Sequence, residues 1–113
     1  MSNTPQSTLE KPLVKDLIRE KVLVLDGAMG TMIQEYKFTE EDYRGSRFAT
    51  YEHPLQGNND LLTLTQPEAI QTIHEKYLAA GADIIETNTF SCTTIAMADY
   101  YMEDLVYELN YEA

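Results

Sequence analysis

Two apolar runs in this chain each end on an acid, and those ends are where chemistry would be done. Val22-Leu-Val-Leu leads into Asp26-Gly-Ala-Met-Gly30-Thr31, and Ala82-Asp-Ile-Ile leads into Glu86-Thr-Asn-Thr-Phe90. Glycines after Asp26 let the backbone turn sharply and present N–H groups with no Cβ in the way, which suits an anion such as a carboxylate. An acid beside such a nest suits a cation. Together they describe a receptor for a zwitterion, of which an amino acid is the simplest. Asn88 and Thr89 are polar without charge and suit a ligand's carboxylate or thiol. Plainer readings stand beside these: Asp26 could cap a helix from Met29 to Tyr36, and Glu86 and Asn88 could satisfy buried loop backbone.

The elements that must position these groups follow from pattern. Val22 to Asp26 has four apolar residues without alternation, the mark of a strand buried on both faces of a parallel sheet. Residues 82–90 give a second such strand. Between them Thr65-Gln-Pro-Glu68 predicts a helix start, with a threonine cap, a reciprocating glutamate and proline in the first turn. Ile70, Ile73, Tyr77 and Leu78 repeat at helical spacing, and Gly81 ends the run. A helix between two strands implies a right-handed β-α-β crossover, which sets the C-terminal ends of parallel strands side by side. Asp26, Gly27, Glu86, Asn88 and Thr89 should therefore share one rim, the place where α/β sheets bind ligands.

Elsewhere the signals are weaker. Met1 to Ser7 is polar and reads as a frayed terminus. From Pro12 the pattern becomes helical, with Leu9, Leu13, Leu17 and Ile18 on one face, and this helix should pack across the N-terminal end of the first strand. Residues 37 to 63 carry Gly45, Pro54, Gly57 and Asn58-Asn59-Asp60, and predict a long irregular wall or lid. The run Glu40-Glu41-Asp42 reads as a solvated face, because adjacent carboxylates point different ways. His74, with no second ligand one turn away, reads as structural. Ser91 to Tyr101 and a stretch from about Met102 read as helices. The second has no stop signal before Ala113, so the expectation is a chain cut through a helix.

Composition limits the partners. The chain has 113 residues with 8 basic against 19 acidic side chains, a net charge of -11 that repels phosphate backbones and anionic lipid. Nucleic acid and membrane are therefore not expected partners. No run approaches the roughly 18 apolar residues of a membrane span, and the start lacks a signal-peptide pattern. A cytoplasmic location is expected, in agreement with a single cysteine, Cys92. Cys92 has no base placed beside it by sequence and reads as structural. No P-loop or dinucleotide glycine spacing occurs.

Three segments together carry a resemblance. Val22 to Gln34, Gly57-Asn-Asn-Asp-Leu-Leu-Thr-Leu-Thr-Gln-Pro-Glu68 and Ala80-Gly-Ala-Asp-Ile-Ile-Glu-Thr-Asn-Thr-Phe90 resemble the start of the homocysteine-binding domain of the homocysteine S-methyltransferase family. The middle segment, with Thr93-Thr-Ile-Ala-Met-Ala-Asp-Tyr100, is most similar to the cobalamin-dependent methionine synthase branch. The resemblance implies an α/β fold, the first quarter of a (βα)8 TIM barrel with parallel strands near 22–26 and 83–89. Residues 1–20 would be a tail and short helix, and 21–113 the incomplete barrel domain. It further implies homocysteine as ligand, with Asp26 on the ammonium, backbone N–H groups of Gly27, Ala28 and Met29 on the carboxylate, and Glu86, Asn88 and Thr89 along the rim. Zinc held by three cysteines and a cobalamin methyl donor are implied for the parent protein, with folate, cobalamin and activation domains as partners. Neither cofactor is expected on these residues, no catalytic side chain is assigned, and the isolated piece is expected to be inactive and to self-associate. Betaine or a sulfonium as methyl donor, or a free-standing amino-acid-binding module, are the competing expectations.

Overall fold

The computed structural model describes residues 12–113, so the polar start and Leu9 lie outside the described residues. Helix α1 (Val14–Glu20) is followed by strand β1 (Leu25–Asp26), α2 (Met29–Tyr36) and α3 (Glu40–Arg44). A 3-10 turn (Asn59–Leu61) runs into α4 (Leu62–Thr65), then come α5 (Pro67–Ala79) and β2 (Ile84–Ile85). Helix α6 (Thr94–Met97), two further 3-10 turns and α7 (Val106–Glu112) complete the order.

The two strands are parallel neighbours, Leu25 opposite Ile84 and Asp26 opposite Ile85, with α5 in the connection. This is a partial α/β arrangement. Both strands are shorter than expected. Ahead of the ladder Asp83 adds side-chain bonds to a single backbone one: its N–H donates to Val24 O at 2.9 Å, while its carboxylate accepts from Val24 N at 2.9 Å and from Lys21 Nζ at 3.3 Å. Beyond Ile85 the chain leaves the extended state, and Thr89 N donates back to Thr87 O.

Burial on both faces is not found. Val22 is 89 % exposed and Leu25 58 %, because among the described residues β1 pairs with β2 alone and has no strand on its other edge. Helix α1 likewise buries none of its side chains among the described residues, with Leu13, Val14 and Ile18 all exposed. Pro12 precedes this helix rather than opening it.

The core sits instead under the segment expected to be irregular. Leu55, Leu61, Leu62 and Ile73 are fully buried, joined by Tyr43, Phe48, Ile33, Met97, Met102 and Leu109. Helix α4 is the hub, touching α3, α5 and α7. Local chemistry explains why residues 37–63 are ordered. Thr39 and Asp42 form a reciprocal capping box that starts α3. Glu40 accepts from Leu55 N at 2.7 Å, Gln56 N at 2.8 Å and Arg44 Nε at 2.7 Å. Arg44 in turn donates to the carbonyls of Phe48, Tyr51 and His53. The acidic run is thus not merely a solvated face, since two of its three carboxylates tie loop backbone. Burial opposes ionisation of Glu40, but the two backbone N–H groups and Arg44 outweigh it and hold its carboxyl below the usual range.

Helix α5 begins one residue later than its threonine suggested. Thr65 ends α4, its hydroxyl reaching Leu61 O at 3.4 Å, so Gln66 takes the cap position without a side-chain cap bond and Pro67 stands at the start. The stop is as read. Gly81 adopts φ +115°, with Gly81 N donating to Leu78 O and Ala82 N to Tyr77 O, the paired bonds of a Schellman ending. The residues after Ser91 split: Thr93 caps α6 through Ala96 N at 3.1 Å, and Tyr101 at φ +57° breaks the run before the turn into α7.

Arg44→Ala leaves three loop carbonyls without the guanidinium and takes one of Glu40's three donors. The expected loss of stability is about 2 to 4 kcal/mol, read by urea unfolding; a change within experimental error would show that the loop is held by its apolar contacts alone.

Candidate functional site

The turn after β1 is set by one close approach. Gly27 is buried at φ +134°, and a Cβ there would lie 2.8 Å from Glu86 N. Only glycine allows the two strand ends to touch in this way. Asp26 Oδ1 accepts from Gly27 N at 2.8 Å and so pins the turn; it does not cap α2. Helix α2 starts at Ala28 with no side-chain cap, leaving the first N–H groups of an eight-residue helix for another acceptor. Tyr77 on α5 fixes the same corner from outside by donating to Ala28 O at 2.6 Å.

Beyond the strand ends lies a cavity of 490 Å³. One wall is the turn and first residues of α2, Gly27 to Gly30. The lining also includes Glu86, Thr87 and Asn88 from the loop after β2, and Gly57 to Asp60 at and just before the 3-10 turn. Met29, Met97, Ala96 and Phe90 supply an apolar side. Polar groups converging on a partly apolar hollow of this size are the usual form of a small-ligand site.

The structure brings together Gly27, Ala28, Met29, Glu86 and Asn88, but not Asp26 or Thr89. Neither of those two lines the cavity. The Asp26 carboxylate stands exposed at the end of β1, and Thr89 spends its hydroxyl on that of Thr87 at 2.8 Å. Asn88 has a different part from the one expected. It is 4 % exposed, and its Nδ2 donates to Asn59 O at 2.8 Å and Thr63 Oγ1 at 3.4 Å. Its donor end is spent on loop backbone, as the plainer reading supposed, which leaves an acceptor oxygen and removes it as a carboxylate or thiol donor.

Sequence reasoning took Asn58-Asn59-Asp60 only as turn formers in a wall. Each of the three anchors a separate element. Asn58 Nδ2 points at the sulfurs of Met97 and Met102, 3.6 Å from each, Asn59 Oδ1 accepts from Tyr43 OH at 2.7 Å, and Asp60 Oδ2 accepts from Ser91 N at 2.7 Å. The available signal was an acid and two amides lying directly before Leu61-Leu62, a place where polar groups must be buried with the leucines. Burial raises the Asp60 carboxyl above its ordinary value, with the Ser91 N–H partly opposing.

Two reactive side chains stand apart. Cys92 is buried beneath α7 with its Sγ 3.8 Å from Val106 O, and burial together with the Asp60 charge pushes its thiol up, away from the nucleophilic thiolate. His74 is half-buried on α5, its Nδ1 sealed without a partner among the described residues, and burial lowers its pKa. Neither lines the cavity. A zinc ion held by three cysteines does not fit these side chains: Cys92 is the single cysteine, and no three His, Cys, Asp or Glu side chains gather to hold a metal among the described residues. No helix among them is long and apolar enough to cross a membrane.

Residues 23–113 match the family model described as homocysteine S-methyltransferase. The match covers most of the chain, and the chain belongs to that family.

Gly27→Ala combines a left-handed φ with a backbone clash, and should lower stability by about 1 to 3 kcal/mol; a neutral effect in thermal unfolding would mean that the strand ends do not touch. Asp60 has a pH signature. Its folded pKa lies above its ordinary 3.8, so the native state holds the proton longer than the unfolded chain and stability falls as pH rises from 3.8 through the folded value. Asp60→Asn should remove that slope, so that the stability of the variant minus that of wild type rises over this window and stays flat above it. A difference that falls with rising pH would contradict the assignment.

Proposed function

We propose, with membership of the homocysteine S-methyltransferase family as the premise, that the cavity at the strand ends holds the amino-acid head of homocysteine while its sulfur accepts a methyl group. In that reaction a sulfur–carbon bond forms as the bond between methyl and donor breaks, the thiol proton passes to solvent, and methionine results. The supporting observation is the two-sided chemistry of the cavity. Uncapped N–H groups at the start of α2 face a ligand carboxylate with the positive end of the helix. Glu86 in the same lining offers charge to an ammonium, and Asp26 adds to the negative field at the mouth. The apolar side formed by Met29, Ala96 and Met97 suits the two methylenes of the substrate.

The finer reading is the cobalamin-dependent methionine synthase branch, supported by the segment Gly57 to Glu68, whose polar residues build the cavity wall rather than a passing loop. On this reading further strands complete a (βα)8 barrel over the exposed Val22, Val24 and Leu25, and the zinc ion and methylcobalamin donor are held by groups other than residues 12–113. Exposed apolar strand residues also support self-association of the chain when it is alone. A cytoplasmic location agrees with the lone reduced Cys92.

The intact protein given homocysteine should form methionine from methylcobalamin and not from betaine. Betaine use would overturn the cobalamin-dependent reading, and no product from any donor would overturn methyl transfer. Glu86→Gln should raise KM for homocysteine by about tenfold with kcat changed less than about twofold; the reverse pattern would remove Glu86 from ground-state binding.

A further inference from the structure

Tyr77 stands outside the cavity and yet holds part of its lining. Its side chain is half-buried against the core, and its hydroxyl donates to Ala28 O at 2.6 Å, across 49 positions of sequence. Ala28, Met29 and Gly30 line the cavity, whereas Tyr77 does not. The residue is anchored at its own backbone. Helix α5 is 13 residues long with Ile70 and Ile73 buried, and Tyr77 O accepts from Ala82 N at 3.1 Å in the glycine stop. A helical side chain leans toward the N-terminus of its helix, which carries the phenol back from this anchored end to the turn after β1. There it meets a helix start that has little else to hold it. Ala28 at the cap position supplies no side-chain bond, and a Cβ on Gly30 would meet nothing within 4 Å. Among the described residues the Tyr77 hydroxyl is the one side chain bonded to the backbone of residues 28–31.

We propose that Tyr77 is a positioning residue: by holding Ala28 O it keeps the first turn of α2 wound and its free N–H groups presented together to the ligand's carboxylate. This rests on the reading of the cavity as an amino-acid site, and adds to it a residue that touches no ligand. The link is the peptide between Ala28 and Met29. A trans peptide is planar with its C=O and N–H pointing in opposite directions, so fixing Ala28 O toward Tyr77 turns the Met29 N–H away from it. Met29 is the first residue of α2, and its N–H is one of those with no partner inside the helix. An uncapped first turn with a glycine in second place frays readily. Donors already ordered bind an anion without the cost of ordering them first. Loss of the hydroxyl is therefore felt at the ligand's carboxylate and not at its amino or sulfur end.

The test is calorimetric titration of the intact protein with homocysteine and with 3-aminopropane-1-thiol, which is homocysteine without its carboxylate. Wild type should favour homocysteine by at least about tenfold. Tyr77→Phe keeps the ring on the core and removes only the hydroxyl. It should weaken homocysteine by about fivefold and the aminothiol by less than about twofold. Calorimetry reports stoichiometry separately, so an unfolded fraction does not mimic a loss of affinity. Equal losses for both ligands would make the hydroxyl a matter of the fold alone and overturn the proposal, as would no loss for either or a greater loss for the aminothiol. Wild type that binds both ligands equally, or neither, would instead overturn the carboxylate site at the start of α2, and the positioning role with it.

Discussion

The contact between Gly27 and the backbone of Glu86 is the constraint on which the rest of the site depends. At that point two parallel strands end, and the absence of a Cβ lets one chain turn directly over the other. Without it, the turn into α2 and the loop after β2 could not line the same hollow. Asp26 serves this contact by accepting from Gly27 N, so its importance is geometric before it is electrostatic.

Packing follows a division of labour that differs from a usual sheet protein. The strands supply position but little burial, while the hydrophobic core lies under α4, where Leu61 and Leu62 enter directly from the polar Asn58-Asn59-Asp60 turn. The cavity wall and the core are therefore made by one continuous stretch of chain. Any movement of Leu61 and Leu62 would be felt at Asp60 and, through Asn59 O, at Asn88. The arrangement ties ligand recognition to the best-packed part of the fold, which favours a preformed rather than an adaptable site.

Much of this was legible from residue types. The parallel pair, the intervening helix, its glycine stop at Gly81 and the meeting of Gly27, Glu86 and Asn88 at one end all followed from pattern. Three things were not legible. Strand length and burial depend on neighbours, and Val22 to Leu25 looks the same whether covered or bare. The threonine at 65 resembles a cap, but a short helix ending there claims its hydroxyl, whereas Thr39, three residues ahead of Asp42, is a true capping box hidden in a stretch dominated by turn formers. The role of Asn88 turned on which end of its amide the fold consumes. Spacing along the chain carries no trace of that, because the partner, Asn59 O, is a backbone atom 29 positions away.

The central claim is that an amino-acid head sits between the start of α2 and the wall formed by residues 58–60 and 86–88. A crystal structure of the intact protein with selenohomocysteine bound tests it most directly, since the selenium marks the side-chain end by its anomalous signal. The account expects the carboxylate at the N–H groups at the start of α2 and the ammonium against Glu86, with the selenium pointing out of the cavity. A ligand head bound elsewhere, or one seated with its carboxylate toward Glu86, would contradict it.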